Sequence, residues 1–220
     1  MKRTAFALLA AALAASAAVP SAVAQSAATA ATATVVLAGA ERTEALGLAN
    51  RTLNAVQRLQ GRFVQTSPGG TRANGAFYLQ RPGKLRFEYD PPATLLIISD
   101  GSVVSMRDTA LRTTDRTPLR STPLNLILRE NVNLDRDARI TRVSRNGEWL
   151  MVTARDRSGA SDGQITLHFY GASAQLRSWD VIDATGARTR ISLTDVTAPA
   201  ALDRRLFRQE DILENRPRRS

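Results

Sequence analysis

Asp100-Gly101, Asn146-Gly147, Asp162-Gly163 and Thr185-Gly186 each stand between two short runs in which apolar and polar residues alternate. Asx-Gly pairs suit the left-handed backbone of a tight hairpin turn, and the alternation puts every second side chain on one face of a strand. Runs near 62–66, 75–81, 84–90, 94–99, 102–108, 111–117, 138–145, 148–155, 163–170, 175–183 and 187–196 therefore read as about eleven strands joined by short turns. Turns that short make successive strands antiparallel, and so many strands predict one large sheet, curved or nearly closed.

The clearest strand is Lys84-Leu85-Arg86-Phe87-Glu88-Tyr89-Asp90, with Leu85, Phe87 and Tyr89 on one face and four charges on the other. Arg81-Pro82-Gly83 is the turn before it, and Arg81 keeps the phase of Phe77 and Leu79 on the preceding run. Two segments leave the strand pattern. Over 43–60, Leu46, Ala49, Leu53 and Val56 recur at helical spacing, with Thr43 as N-cap and Gly61 as C-cap, and Asn50, Arg51, Asn54, Gln57 and Arg58 on the polar side. Near 122–130, Thr122 suits a cap, Pro123 suits the first helical position, and Leu124, Ile127 and Leu128 share a face. A helix this short is marginal alone and is expected to lay its apolar side over the open mouth of the sheet.

Lys2 and Arg3, the apolar stretch Phe6 to Val19 and the small residues Ala22-Val23-Ala24 predict a secretory signal peptide over 1–24. Residues 25–40 are expected to be a disordered lead-in, 41–210 a single domain and 211–220 a basic tail. Cysteine is absent, which excludes disulfides, thiolate chemistry and a lipoprotein's acylated cysteine. Formal charge is +10, from 30 basic against 20 acidic residues, and all the basic residues after the leader except Lys84 are arginine. They are spread evenly and aromatics are few, so nucleic acid is not an expected partner.

The single histidine, His168, alternates with Ile165, Leu167 and Phe169 and so belongs on the polar face as an ordinary exposed strand residue. With it alone and no cysteine, neither an enzyme active site nor a metal or cofactor is expected. Asp135 and Asp137 read as solvated loop charge. Phe77, Leu79, Leu85, Phe87, Tyr89, Trp149, Met151, Trp179 and Val181 all occupy alternating strand positions. One long helix and one short one give too little apolar cover for so much sheet. Either the barrel is filled or it encloses an apolar cavity.

Arg81-Pro82 with its alternating strand, Ser99-Asp100-Gly101, Thr122-Pro123-Leu124 and Asp183 to Gly186, in this order, resemble the LolA family from the first long helix to about Phe207. Those proteins ferry lipoproteins through the periplasm to the outer membrane. The resemblance implies a mainly β fold with helices: an unclosed antiparallel β-barrel whose helical lid covers a cavity for acyl chains. Phe77, Leu79, Leu85, Phe87, Tyr89, Trp149 and Met151 would form the cavity and Leu124, Ile127 and Leu128 the lid. Arg81 would act as a latch, donating hydrogen bonds to carbonyls of the lid region. Leu85 departs from the aromatic residue frequent at its position. Expected partners are acylated lipoproteins, a LolCDE-like ABC transporter, and a LolB-like receptor or the outer membrane itself, with the carrier monomeric. The alternative is an RseB-like lipid- or lipoprotein-sensing module on the same fold.

Overall fold

A computed structural model describes residues 33–157 and 163–209. The signal peptide, the Asp162 turn position and the basic tail lie outside the described residues. The strands are β1 (Val35–Val36), β2 (Arg58–Thr66), β3 (Arg72–Gln80), β4 (Lys84–Tyr89), β5 (Leu95–Asp100), β6 (Val103–Asp108), β7 (Thr113–Pro118), β8 (Ala138–Asn146), β9 (Trp149–Asp156), β10 (Gln164–Tyr170), β11 (Gln175–Ile182) and β12 (Arg188–Thr197). The helices are α1 (Gly39–Ala55), α2 (Asn125–Leu128) and α3 (Leu134–Asp137).

All twelve strands form one antiparallel sheet, ordered β1-β8-β9-β10-β11-β12-β2-β3-β4-β5-β6-β7. Two meanders, β2–β7 and β8–β12, join where β12 pairs with β2, Leu193 standing opposite Phe63. The edges β1 and β7 do not pair with each other, so the barrel is unclosed. The eleven expected strands are all present within a few residues of their expected ends. The twelfth, β1, spans only Val35–Val36 and pairs with Arg145 and Ser144. It lies, with the first turn of α1, where a disordered lead-in was expected.

Helix α1 packs Ala45, Leu46, Ala49 and Leu53 against the inner face of the sheet. It ends five residues before the expected terminus, because the chain turns extended at Val56 and enters β2. Gly61 is therefore no helix cap. It sits in β2 where the sheet crowds it: a Cβ there would lie 2.7 Å from the carbonyl oxygen of Thr194. The polar side of α1 is not simply solvated either. Asn54 brackets Val132, accepting from its N–H and donating to its carbonyl at 2.8 Å each, and Asn50 accepts from the N–H of Leu134. Two asparagines thus pin the segment after the lid. Asp135 and Asp137, expected in a loop, lie in the single turn α3, where Asp137 pairs with Arg129 and Arg136.

On the outer face, two charged groups are buried. Arg86 is 2% exposed under the short turn Arg204–Phe207, donating to Glu88 and to the carbonyl of Leu206. Asp180 of β11 is 4% exposed and accepts hydrogen bonds from Arg188 and Arg190, with His168 at 2.9 Å. His168 is therefore on the polar face as expected, but partnered rather than ordinary and exposed. Burial alone would push the Asp180 carboxyl up; the hydrogen bonds from His168, Arg190 and Arg188 outweigh it and hold the group well below the usual carboxylate range.

A carboxyl held low in the folded state stabilises the fold above its unfolded pKa, near 4, and that contribution is lost as pH falls through the depressed value. Asp180→Asn is expected to lower stability at neutral pH by about 1–3 kcal/mol. The gap to the wild type should narrow below about pH 4. Thermal melts of both proteins at neutral and acid pH check this; equal stability at neutral pH would show that the cluster adds nothing.

Candidate functional site

The turn Arg81-Pro82-Gly83 joins β3 to β4 and ties three parts of the molecule together. The Arg81 N–H donates to the carbonyl of Gln57 at 2.9 Å, next to the end of α1. The Gly83 carbonyl accepts from the Ser99 hydroxyl at 2.6 Å, and the Gly83 N–H donates to the Leu128 carbonyl of α2 at 2.7 Å. Glycine is required here: φ is 73°, and a Cβ would lie 2.5 Å from the Cα of Gly101. Gly83→Ala is expected to destabilise the protein by about 1–3 kcal/mol and to loosen α2. A melting curve, with exchange of the Leu126–Leu128 amides, reads both; unchanged protection of those amides would exclude the tie.

Beneath this turn, α1, α2 and the sheet enclose a cavity of about 360 Å³. Its wall is mainly apolar: Leu53 of α1, Val56 just after it, Leu59 of β2, Phe77 and Leu79 of β3, Leu85 of β4, Trp179 of β11, Leu193 and Val196 of β12, and Ile127 of the lid. Thr52, Arg81, Gln175, Arg177 and Thr197 supply its polar groups. The cavity falls in the size range of ligand pockets, which are concave, mostly apolar and fitted with few polar groups.

Of the expected cavity residues, Phe77, Leu79 and Leu85 meet in this wall, with Arg81 and the lid residue Ile127. Phe87 and Tyr89 share their face but lie outside the cavity lining, in an aromatic cluster. Phe63 packs edge-on against both, with centroids 4.7 and 4.9 Å away, and the Tyr89 hydroxyl donates to Gln65. Burial pushes the Tyr89 phenol well above its usual pKa.

Trp149 and Met151 are on the wrong face for the cavity. Trp149 is 38% exposed and packs on Tyr170 at 4.9 Å between centroids, and Met151 stands opposite Ser144 and His168 on the outer side. Leu150, Val152 and Ala154 take the inner positions. Trp149-Leu150-Met151-Val152 is apolar at every position, so alternation could not select a face. Leu59 was hidden by its place in the expected helix, and Leu193 and Val196 by the long mixed last strand. The irregularity between Thr194 and Thr197, with Asp195 at φ 51°, brings Val196 to the same cavity as Leu193, and no local pattern signals it.

The lid is a single turn, shorter than the expected 122–130 helix. Leu126, Ile127 and Leu128 are buried in it and Leu124 is half-buried. Thr122 bonds the Leu119 carbonyl instead of capping, and Pro123 precedes the helix. The Arg81 guanidinium does not latch this turn. Its Nη1 donates to the carbonyl of Leu53 in the last turn of α1, while the lid is held by the main chain of Gly83. Among the described residues no helix is long and apolar enough to cross a membrane.

An open antiparallel sheet with a short helix over a mainly apolar pocket is a geometry with room for an apolar group. The family described as "Outer membrane lipoprotein carrier protein LolA" matches residues 54–210, and the chain belongs to this family of carriers. An outer-membrane lipoprotein carrier protein of Methylibium petroleiphilum is 28% identical over 181 residues, covering 77% of this chain and 87% of the relative. Another, of Pseudomonas paraeruginosa, is 29% identical over 186 residues, covering 78% and 86%. The solved LolA superfamily protein of Nitrosomonas europaea aligns with a TM-score of 0.44 and 11% identity, covering 77% of this chain and 98% of that one.

Proposed function

We propose that this protein carries lipoproteins across the periplasm by holding their acyl chains in the cavity beneath α2. The observation that supports this reading best is the apolar wall of Phe77, Leu79, Leu85 and Trp179 around about 360 Å³, in a chain of the carrier family. Loading would come from an ABC transporter of the LolCDE kind, and delivery would go to a LolB-like receptor or directly to the outer membrane.

Burying an acyl chain gains about 0.8 kcal/mol per CH₂, so a long chain gains on the order of 10 kcal/mol against water. A bilayer offers the same gain. Extraction therefore needs work from the transporter, and delivery needs a carrier site weaker than its acceptor. A docked lid that must be displaced on loading weakens the site by the lid's own burial free energy.

Native mass spectrometry of the protein isolated from periplasm tests the proposal. Bound acylated protein is the expected result. Free lipid alone would favour an RseB-like lipid-sensing module, and an empty protein would reject both. A photocrosslinking residue at Phe77 should capture lipoprotein, whereas one at Tyr78 should not, because adjacent strand residues face opposite sides.

A further inference from the structure

Two arginines, Arg81 in the turn between β3 and β4 and Arg86 in β4, are almost fully buried, and the protein treats them differently. Arg86, 2% exposed, has the carboxylate of Glu88 at 3.1 Å and the Leu206 carbonyl. Arg81, 7% exposed, has no carboxylate in salt-bridge range among the described residues. Among the described residues, the one hydrogen bond its guanidinium makes is from Nη1 to the Leu53 carbonyl. Its Nε is enclosed without any acceptor, and Arg81 lines the apolar cavity. Burial pulls its pKa down to about 10, which leaves it a cation at neutral pH.

A buried cation with an unused donor edge is costly unless a partner arrives. The Nε/Nη2 edge of a guanidinium is a planar fork that matches the two oxygens of a carboxylate. Most of the remaining wall, from Phe77 and Leu79 to Leu85 and Trp179, suits an alkyl chain; Arg177 is the other cation that lines it, and no acidic residue does. An anionic head on a single apolar tail satisfies both halves of the site; a neutral ester carbonyl would satisfy one donor and leave the charge uncompensated.

We propose that the cavity is also a site for a long-chain carboxylate, a free fatty acid or a monoacyl acid of the same chemistry, with its head on the Nε edge of Arg81. This rests on the reading that the cavity accepts acyl chains, and adds that one end of it selects for a negative oxygen head. Lipoprotein acyl groups end in neutral esters and amides, so the two ligand sources differ at this arginine. A fatty carboxylate would compete with lipoprotein cargo for the same space.

The test is displacement of a neutral, environment-sensitive hydrophobic dye from the delipidated full-length mature protein by palmitate and by methyl palmitate. Palmitate is expected to bind at least about tenfold more tightly. Arg81→Gln should abolish that preference by weakening palmitate alone, and Arg81→Lys should restore part of it. A second readout needs no variant: the carboxyl carbon of labelled palmitate, followed by NMR in the wild-type complex, should stay ionised to lower pH than in water. Equal affinity for acid and ester, or a bound carboxyl that titrates higher than in water, would overturn the arginine site and leave the acyl cavity standing. Failure of the dye and both lipids to bind would overturn the cavity reading with it.

Discussion

Ile127→Lys should speed the loss of a bound acyl probe at least tenfold while leaving the sheet folded. Ile127 is 2% exposed and forms the lid's part of the cavity wall. A lysine there would add a further cation to a wall that already carries Arg81 and Arg177, and Arg81 has no carboxylate in salt-bridge range among the described residues. Burying an unpaired charge costs several kcal/mol, and two like charges in one apolar pocket cost more. The lid can escape this because little holds it: one turn of helix, three buried side chains and the Gly83-to-Leu128 hydrogen bond. Full burial of those side chains is worth about 1.5–3 kcal/mol each, so undocking costs on the order of 5 kcal/mol. That caps the fall in Tm at roughly 10–20 °C for a domain of this size. Stopped-flow release of the probe, with a melting curve, separates the outcomes. Loss of the folded sheet would mean that α2 is core, and an unchanged release rate would mean that it walls no cavity.

Phe63→Ala is expected to act in the opposite way, with a large effect on stability and little on binding. Phe63 is 1% exposed and packs edge-on against both Phe87 and Tyr89. Phe87 extends the cluster to Phe77 and Trp179, with centroids 6.3 Å away in each case. Truncation removes a whole ring from a close-packed interior, at about 3–5 kcal/mol. At roughly 2–4 °C per kcal/mol, Tm should fall by about 6–20 °C. Affinity for the acyl probe should change less than about threefold, because Phe63, Phe87 and Tyr89 are not in the cavity lining and touch it only through Phe77 and Trp179. A drop in affinity exceeding the stability loss would move Phe87 and Tyr89 back into the cavity wall.

Much of the frame was legible in the residue pattern because it depends on local rules. Turn pairs and two-residue alternation set the strands, since each strand exposes alternate side chains whatever it packs against. The pattern failed where the deciding contact lies far along the chain. The helical spacing of Leu53 and Val56 ran on past the true end of α1, and Gly61 looked like a cap. Its real constraint is the backbone of Thr194, which no local reading contains. Arg86 was placed on the correct face, yet it is buried, because residues more than a hundred positions later fold over it.

By itself the amino-acid sequence determined that this chain makes one antiparallel sheet with a long helix and a short apolar one, and that Phe77, Leu79, Leu85 and Arg81 share a face. Hydrophobic period and turn chemistry act over a few residues, so they are written locally. The tertiary structure alone decided which face of β9 turns inward, that Phe87 and Tyr89 pack as core, and that the lid hangs from the main chain of Gly83. It also decided that Arg81 meets Leu53, that its buried Nε has no partner among the described residues, and that Arg81 lines the cavity. Those outcomes depend on which distant segments compete for the same space and the same hydrogen-bond acceptor, and that competition exists only once the sheet has closed around its helices.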